Sequence, residues 1–88
     1  MLETEVVIAN KVGLHARPAA LLVRIASGFS SKVWIIKDGD MYNAKSILGV
    51  MGAGIKQGDS IVIRIDGPDE QVALPALKTL IESEFGEA

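Results

Sequence analysis

The sequence predicts a small α+β domain, an open-faced β-sandwich in which a four-stranded antiparallel sheet carries three helices on one face. Two observations predict this fold. Several short segments alternate apolar and polar residues, as half-buried strands do, and others repeat apolar residues at helical spacing, in the order β-α-β-β-α-β-α. The chain has 88 residues and no linker or repeat, so we expect one domain over residues 1–88 with a single core.

A change of periodicity separates the first strand from the first helix. From Leu2 to Ile8 every second residue suits a buried sheet face, which predicts a strand. From Ala16 to Phe29 the apolar residues form a broad helical stripe, and Gly28 marks the end of the helix. The stripe consists of Ala19, Leu21, Leu22, Val23, Ile25, Ala26 and Phe29.

The middle of the chain predicts a hairpin and a short helix. Residues 32–36 are rich in strand-forming side chains, and Asp38-Gly39 is a favoured two-residue hairpin turn that leads into a paired strand at 41–43. Ser46 is a good N-cap, and the glycine-rich residues 52–54 end the helix that it begins.

A fourth strand and a last helix complete the predicted order. Ile61, Ile63 and Ile65 alternate with more polar residues, which predicts a strand with one buried face. A proline beyond the first turn removes a helical hydrogen bond, so we expect the last helix to begin near Leu74 or to kink at Pro75. The apolar residues at helical spacing in this segment are Val72, Ala73, Leu77, Leu80, Ile81 and Phe85.

Composition excludes several classes of function. The chain has no cysteine and one histidine, so we expect no disulfide, no metal site and no cofactor. A net charge of −2 argues against a nucleic-acid partner. The N-terminal residues lack the pattern of a signal peptide, and no apolar run is long enough for membrane insertion. We therefore expect a cytoplasmic protein.

The run Gly13-Leu14-His15-Ala16-Arg17-Pro18-Ala19 places the only histidine where a loop becomes a helix. An isolated histidine is usually just solvated, but these neighbours favour phosphoryl chemistry. The first amides of a helix and the Arg17 guanidinium together favour an anion attached to His15. The neutral imidazole is also a nucleophile near pH 7. Other basic residues that could lie beside the histidine are Lys11, Arg24, Lys45 and Lys56.

Each of these residues also has a simpler interpretation. Arg17 could be a solvated charge, and Gly13 and Pro18 suit a loop and a helix start without any active site. Ser46 alone is an ordinary N-cap. The apolar residues of the short helix, which are Ile47, Leu48 and Met51, would usually belong to the core.

The run at 13–19 and a second one at 43–51, Asn43-Ala44-Lys45-Ser46-Ile47-Leu48-Gly49-Val50-Met51, resemble the HPr family. This family comprises the histidine-containing phosphocarriers of the bacterial phosphoenolpyruvate-dependent sugar phosphotransferase system (PTS). The resemblance implies the HPr-like fold and a phosphocarrier that is not itself an enzyme. It implies that His15 Nδ1 takes a phosphoryl group from phospho-Enzyme I and passes it to sugar-specific Enzyme IIA. It also implies phosphate stabilisation by Arg17 and structural roles for Gly13, Ala16 and Pro18.

The resemblance further implies regulation and a shared docking surface. Ser46 corresponds to the serine that HPr kinase/phosphorylase modifies in carbon catabolite regulation, where a catabolite-control regulator is a further partner. A phosphate there would add about −1.5 to −2 charges at a helix N-terminus. The expected protein is a monomer. The docking residues implied for Enzyme I and Enzyme IIA are Ala20, Leu21, Arg24, Ser27, Ile47, Leu48 and Met51.

The sequence leaves two alternatives open. One is a mainly regulatory HPr-like module that acts through Ser46, although the presence of His15 argues against a purely regulatory role. The other is a ferredoxin-like domain that binds a ligand or RNA, since the order of elements allows it. RNA binding would need exposed aromatic residues on the central strands, for which Trp34 and Tyr42 are the candidates.

Overall fold

The computed structural model describes residues 1–86, so the last two residues of the domain predicted over 1–88 lie outside the described residues. The order of elements is the predicted one. The strands are β1 (Leu2–Val7), β2 (Lys32–Lys37), β3 (Asp40–Asn43) and β4 (Ser60–Asp66). The helices are α1 (Ala16–Ser27), α2 (Ile47–Gly52) and α3 (Glu70–Glu82), followed by a short 3-10 helix at Glu84–Gly86.

All strand pairs are antiparallel, and the order across the sheet is β1-β4-β2-β3. The alternating isoleucines of β4 explain its central place. Ile61 lies opposite Val6, and Ile63 lies opposite Ile35, so these side chains share one face of the sheet. That face is covered by the helices and forms the core. Each fully buried aliphatic side chain contributes about 1.5–3 kcal/mol by leaving water.

The hairpin between β2 and β3 forms at the predicted turn. Lys37 pairs with Asp40 across it. The two turn residues have positive φ angles, 51° at Asp38 and 85° at Gly39, as a type I′ turn requires.

Helix α3 corrects the prediction for the end of the chain. It begins at Glu70 rather than near Leu74, and Pro75 lies inside it. The first turn forms because Val72 and Ala73 each donate a backbone hydrogen bond of 3.0 Å to the carbonyl of Asp69. Pro75 is exposed, so its ring projects into solvent while the buried face of the helix continues past it.

The apolar stripe predicted for this helix is only partly right. Ala73, Leu77 and Ile81 are fully buried, whereas Val72 is 64% exposed and lies outside the core. Phe85 is buried, but it lies beyond the end of α3. Positive φ angles at Glu84 and Phe85 turn the chain back, so a change of backbone direction brings this ring to the core instead of helical spacing.

A side-chain hydrogen-bond cluster joins the start of α3 to the loop after α1. The Asp69 carboxylate accepts from the Ser30 amide at 2.8 Å and from the Ser31 amide at 2.9 Å. It also accepts a short hydrogen bond from the Ser31 hydroxyl. These bonds lower the pKa of Asp69 from its ordinary value, and the bond from the Ser31 hydroxyl has the largest effect.

Candidate functional site

The loop before α1 is fixed by a close approach of two backbones. Gly13 has a φ of +60°, and a Cβ added there would lie 2.5 Å from Lys56 Cα and 2.6 Å from the Ile55 carbonyl oxygen. The next residue, Leu14, donates its backbone N–H to the same carbonyl at 3.0 Å. The buried Asn10 side chain holds the Gly13 carbonyl at 2.8 Å. Only glycine fits this position, and the contact fixes where the following residue begins the helix.

His15 occupies the N-cap of α1. Its carbonyl accepts the Ala19 amide at 2.9 Å, whereas its side chain makes no capping hydrogen bond, and the residue is exposed. Pro18 is buried in the first turn, where a helical N–H has no carbonyl partner within the helix. The imidazole therefore stands at the positive end of the helix with its ring available for chemistry.

Two shallow grooves lie at this end of the molecule. The first, which we call the His15 groove, has a volume of about 290 Å³. It is lined by Leu14, His15, Met51, Gly54, Ile55 and Lys56. The second, the Arg17 groove, has a volume of about 320 Å³ and is lined by Arg17, Ala20, Leu21 and Arg24. His15 and Arg17 thus both lie exposed at the start of α1, but they line different grooves.

Ser46 caps α2 as the sequence predicts. Its hydroxyl oxygen accepts the Gly49 amide at 3.1 Å, and its own amide donates to the Asn43 carbonyl at 3.1 Å. The Asn43 side chain in turn accepts the Lys45 amide at 2.9 Å. These bonds make residues 43–46 a tight turn that leads into the helix, and they leave Ser46 half-buried.

The predicted docking residues are at the surface. In α2, Leu48 is 82% exposed and Ile47 and Met51 are partly exposed, so a core role for these three residues is wrong. In α1, Leu21 is half-buried, and the other three predicted docking residues are exposed. Met51 links the two parts of the prediction, because it belongs to α2 and also lines the His15 groove.

The basic residues that the sequence suggested as neighbours of the histidine lie in different places in the structure. Arg24 lines the Arg17 groove, and Lys56 lines the His15 groove. The Lys45 ammonium instead donates to the Phe29 carbonyl at 2.7 Å, which ties the turn before α2 to the segment after α1. Of the groove residues, Gly54 and Ile55 were not predicted as site residues. No spacing in the sequence shows that their loop lies against residues 13–15.

No group of histidine, cysteine, aspartate or glutamate side chains within residues 1–86 could hold a metal ion. Within the same residues, no helix is long and apolar enough to cross a membrane. The two aromatic residues considered for RNA lie on opposite faces of the sheet. Tyr42 pairs with the buried Ile35 and packs on the core, whereas the neighbouring Trp34 projects to the open face. They therefore cannot form one stacking platform.

A shallow surface with an exposed imidazole and adjacent cations, rather than an enclosed pocket, is typical of a group carrier that works against the surfaces of other proteins. Comparison with known proteins also indicates a phosphoryl-group carrier. The family model described as the PTS HPr component phosphorylation site matches residues 2–83. The phosphocarrier protein HPr of Xylella fastidiosa (strain 9a5c) is 48% identical over 87 residues, which cover 99% of this chain and 98% of that protein.

The HPr-like protein Crh of Halalkalibacterium halodurans is 48% identical over 84 residues, covering 96% of this chain and 100% of that protein. A crystal structure of HPr-C-His from Thermoanaerobacter tengcongensis matches with a TM-score of 0.97 at 52% identity, covering 100% of this chain and 99% of that one. A crystal structure of an HPr dimer from the same organism has a TM-score of 0.79 at 53% identity, covering 99% and 100%.

The chain belongs to the HPr family, the phosphocarrier proteins of the PTS. Members of this family carry phosphoryl groups between PTS proteins such as Enzyme I and Enzyme IIA and are not enzymes in their own right. The match also decides between the predicted fold and the ferredoxin-like alternative, because the structural neighbours are HPr structures.

Proposed function

We propose that His15 is the phosphoryl acceptor and donor of this phosphocarrier. The observation that carries the proposal is the exposed imidazole at the N-cap of α1, with no capping hydrogen bond to occupy its ring. In the forward step Nδ1 attacks the phosphorus of phospho-Enzyme I. A bond between Nδ1 and phosphorus forms as the bond to the Enzyme I side chain breaks. The second step reverses these roles, and the phosphoryl group passes to Enzyme IIA.

The start of α1 supplies electrostatic support for this transfer. A helix N-terminus carries partial positive charge, which favours the negatively charged phosphoryl group once it is on the imidazole. Arg17 on the first turn adds a permanent positive charge, and its planar guanidinium can bind two phosphoryl oxygens at once. Gly13, Ala16 and Pro18 position the loop and the first turn.

Docking is assigned to the exposed faces of α1 and α2. Leu48 with Ile47 and Met51 gives an apolar centre, and Arg24 adds charge at its edge. Exposed apolar side chains within a charged rim suit partners that bind, exchange a group and dissociate. We assign the reactions to the cytoplasm and a single copy of the chain to each transfer, and size-exclusion chromatography would test the monomer.

Incubation with phosphoenolpyruvate and Enzyme I, followed by intact-mass measurement, tests the central role. We expect the gain of one acid-labile phosphoryl group. Because the chain has one histidine, His15→Ala should abolish the gain without leaving another imidazole to accept the group. Arg17→Lys keeps the charge but loses the planar fork, so it should still be labelled, more slowly. Labelling of His15→Ala would contradict the assignment.

A regulatory role for Ser46 is a second proposal, favoured by the position of the hydroxyl at the N-terminus of α2. A phosphate there would keep an acceptor for the Gly49 amide while adding negative charge beside the docking surface. We expect HPr kinase/phosphorylase with ATP to label the protein but not Ser46→Ala. Labelled protein should accept phosphoryl groups from Enzyme I more slowly and bind a catabolite-control regulator. A purely regulatory protein would show the Ser46 reaction without the His15 reaction.

A further inference from the structure

The His15 groove contains a cation that the recognised motif does not include. Lys56, in the loop before β4, lines this groove together with His15, whereas Arg17 lines the neighbouring groove. The two cations therefore belong to different grooves, and Lys56 shares its groove with the imidazole. The groove volume of about 290 Å³ is several times the roughly 30 Å³ that a water molecule occupies in the liquid, so a phosphoryl group fits beside the ring.

The backbone of Lys56 is held firmly against the histidine loop. Its Cα lies directly beside Gly13, where even one added carbon would collide with it. Its amide donates to the Asp59 carboxylate at 2.9 Å, and its carbonyl accepts the Asp59 amide at 3.1 Å. Lys37 pairs with the same carboxylate at 3.2 Å and also donates to the Gly54 carbonyl at 3.1 Å. The position of Lys56 relative to His15 is thus set by backbone contacts on both sides.

The ammonium of Lys56 remains available. The residue is exposed, and within residues 1–86 its side chain makes no hydrogen bond and no ion pair. The charges of Lys56 and Asp59 attract each other, but the direct contact of the Asp59 carboxylate is with the Lys37 ammonium. A flexible stem whose ammonium makes no direct contact can therefore turn toward an anion that appears on the imidazole.

We propose that Lys56 binds the phosphoryl group carried on His15, from the groove that Arg17 does not line. The inference rests on the proposed role of His15 as the acceptor. A phosphoryl group on the ring brings about two negative charges, which one guanidinium alone does not balance. Lys56 supplies the second positive charge and so favours the phosphorylated form. Because the site is open to solvent, the effect on transfer is modest, about 1.5-fold to fivefold.

The test compares Lys56→Gln and Lys56→Arg with Lys32→Gln. Lys32 is exposed at the start of β2, on the open face of the sheet away from the helices, so its loss changes the net charge equally without touching the groove. Each protein is phosphorylated with Enzyme I and phosphoenolpyruvate, and the phosphohistidine ring is titrated by ³¹P and ¹H NMR. Thermal unfolding verifies that each variant is folded.

Removing a neighbouring positive charge makes protonation of the ring easier, so Lys56→Gln should raise the pKa of phosphohistidine by about a few tenths of a unit. It should also slow phosphorylation by about 1.5-fold to fivefold and weaken its dependence on salt. Lys56→Arg should restore both, and Lys32→Gln should match the wild type.

The outcomes separate the two proposals. If Lys56→Gln and the wild type share the same titration, Lys56 does not contact the phosphoryl group, whatever happens to the rate. A slower rate with an unchanged titration would assign Lys56 to partner attraction and overturn the proposal. If the wild type itself acquires no phosphoryl group on His15, the proposed function fails instead.

Discussion

Substitution of Gly13 by alanine should be the most informative change in this loop, because it disturbs a contact between two backbones. Alanine at a φ of +60° costs about 1–2 kcal/mol relative to glycine. The new Cβ would also lie 2.5 Å from Lys56 Cα and 2.6 Å from the Ile55 carbonyl, so the loop must shift. Such overpacking typically costs about 1–3 kcal/mol. We expect Gly13→Ala to lower the free energy of unfolding by about 2–5 kcal/mol.

Gly54 provides the matched control. Its φ is +64°, but an added Cβ there would meet nothing within 4 Å. Gly54→Ala should therefore lower the free energy of unfolding by only the backbone cost of about 1–2 kcal/mol. Urea unfolding at pH 7, followed by the fluorescence of the single tryptophan, measures both variants. Equal losses in the two proteins would refute the argument that the approach to residues 55–56 makes glycine necessary.

The other predictions concern the second helix, its surface and acid stability. Ser46→Ala should cost about 1 kcal/mol in urea unfolding, since the Gly49 amide loses its cap, and an unchanged stability would show that the cap does not matter. Leu48→Ala should change stability by less than about 0.5 kcal/mol because the side chain is 82% exposed, while raising the KM for transfer from phospho-Enzyme I; an unchanged KM would remove it from the docking surface. Because folding lowers the pKa of Asp69, its carboxylate stabilises the fold at neutral pH, and this stabilisation is lost as the pH falls through the lowered pKa. Asp69→Asn should therefore have a lower free energy of unfolding than the wild type at pH 7. On acidification, the variant should lose less of this free energy than the wild type loses. Parallel dependence on pH in the two proteins would contradict this prediction.

Elements with a clear local pattern of residue types could be predicted from the sequence. The alternation of Ile61, Ile63 and Ile65 predicted β4, because side chains of a strand alternate between its two faces. Asp38-Gly39 predicted the hairpin, because its turn needs positive φ angles at both residues. The start of α3 could not be predicted in this way. Its first turn is fixed by Asp69, whose side chain is held by a loop distant in the chain.

The periodicity of apolar residues also does not show whether a side chain is buried or exposed. A short helix with apolar residues at 47, 48 and 51 suits either a core or a docking surface, and only tertiary contact distinguishes them. In the structure Val50 is the fully buried residue of α2, which turns Leu48 outward. The same limitation applies to Val72, which has helical spacing with the buried residues of α3 but is 64% exposed.

The loop at 54–56 is as much a part of the site as the motif at 13–19. The motif provides the imidazole, but the backbone of Ile55 and Lys56 determines where the loop before α1 can lie, through one hydrogen bond to Leu14 and one close contact with Gly13. Asp59 and Lys37 in turn hold that second loop in place. A substitution such as Asp59→Asn would therefore act on His15 through a chain of backbone contacts, without altering any residue of the motif. The lost carboxylate charge alone would lower the pKa of the phosphohistidine ring, opposite to the effect of Lys56→Gln, so the direction of the shift in the titration distinguishes this charge effect from a displacement of Lys56.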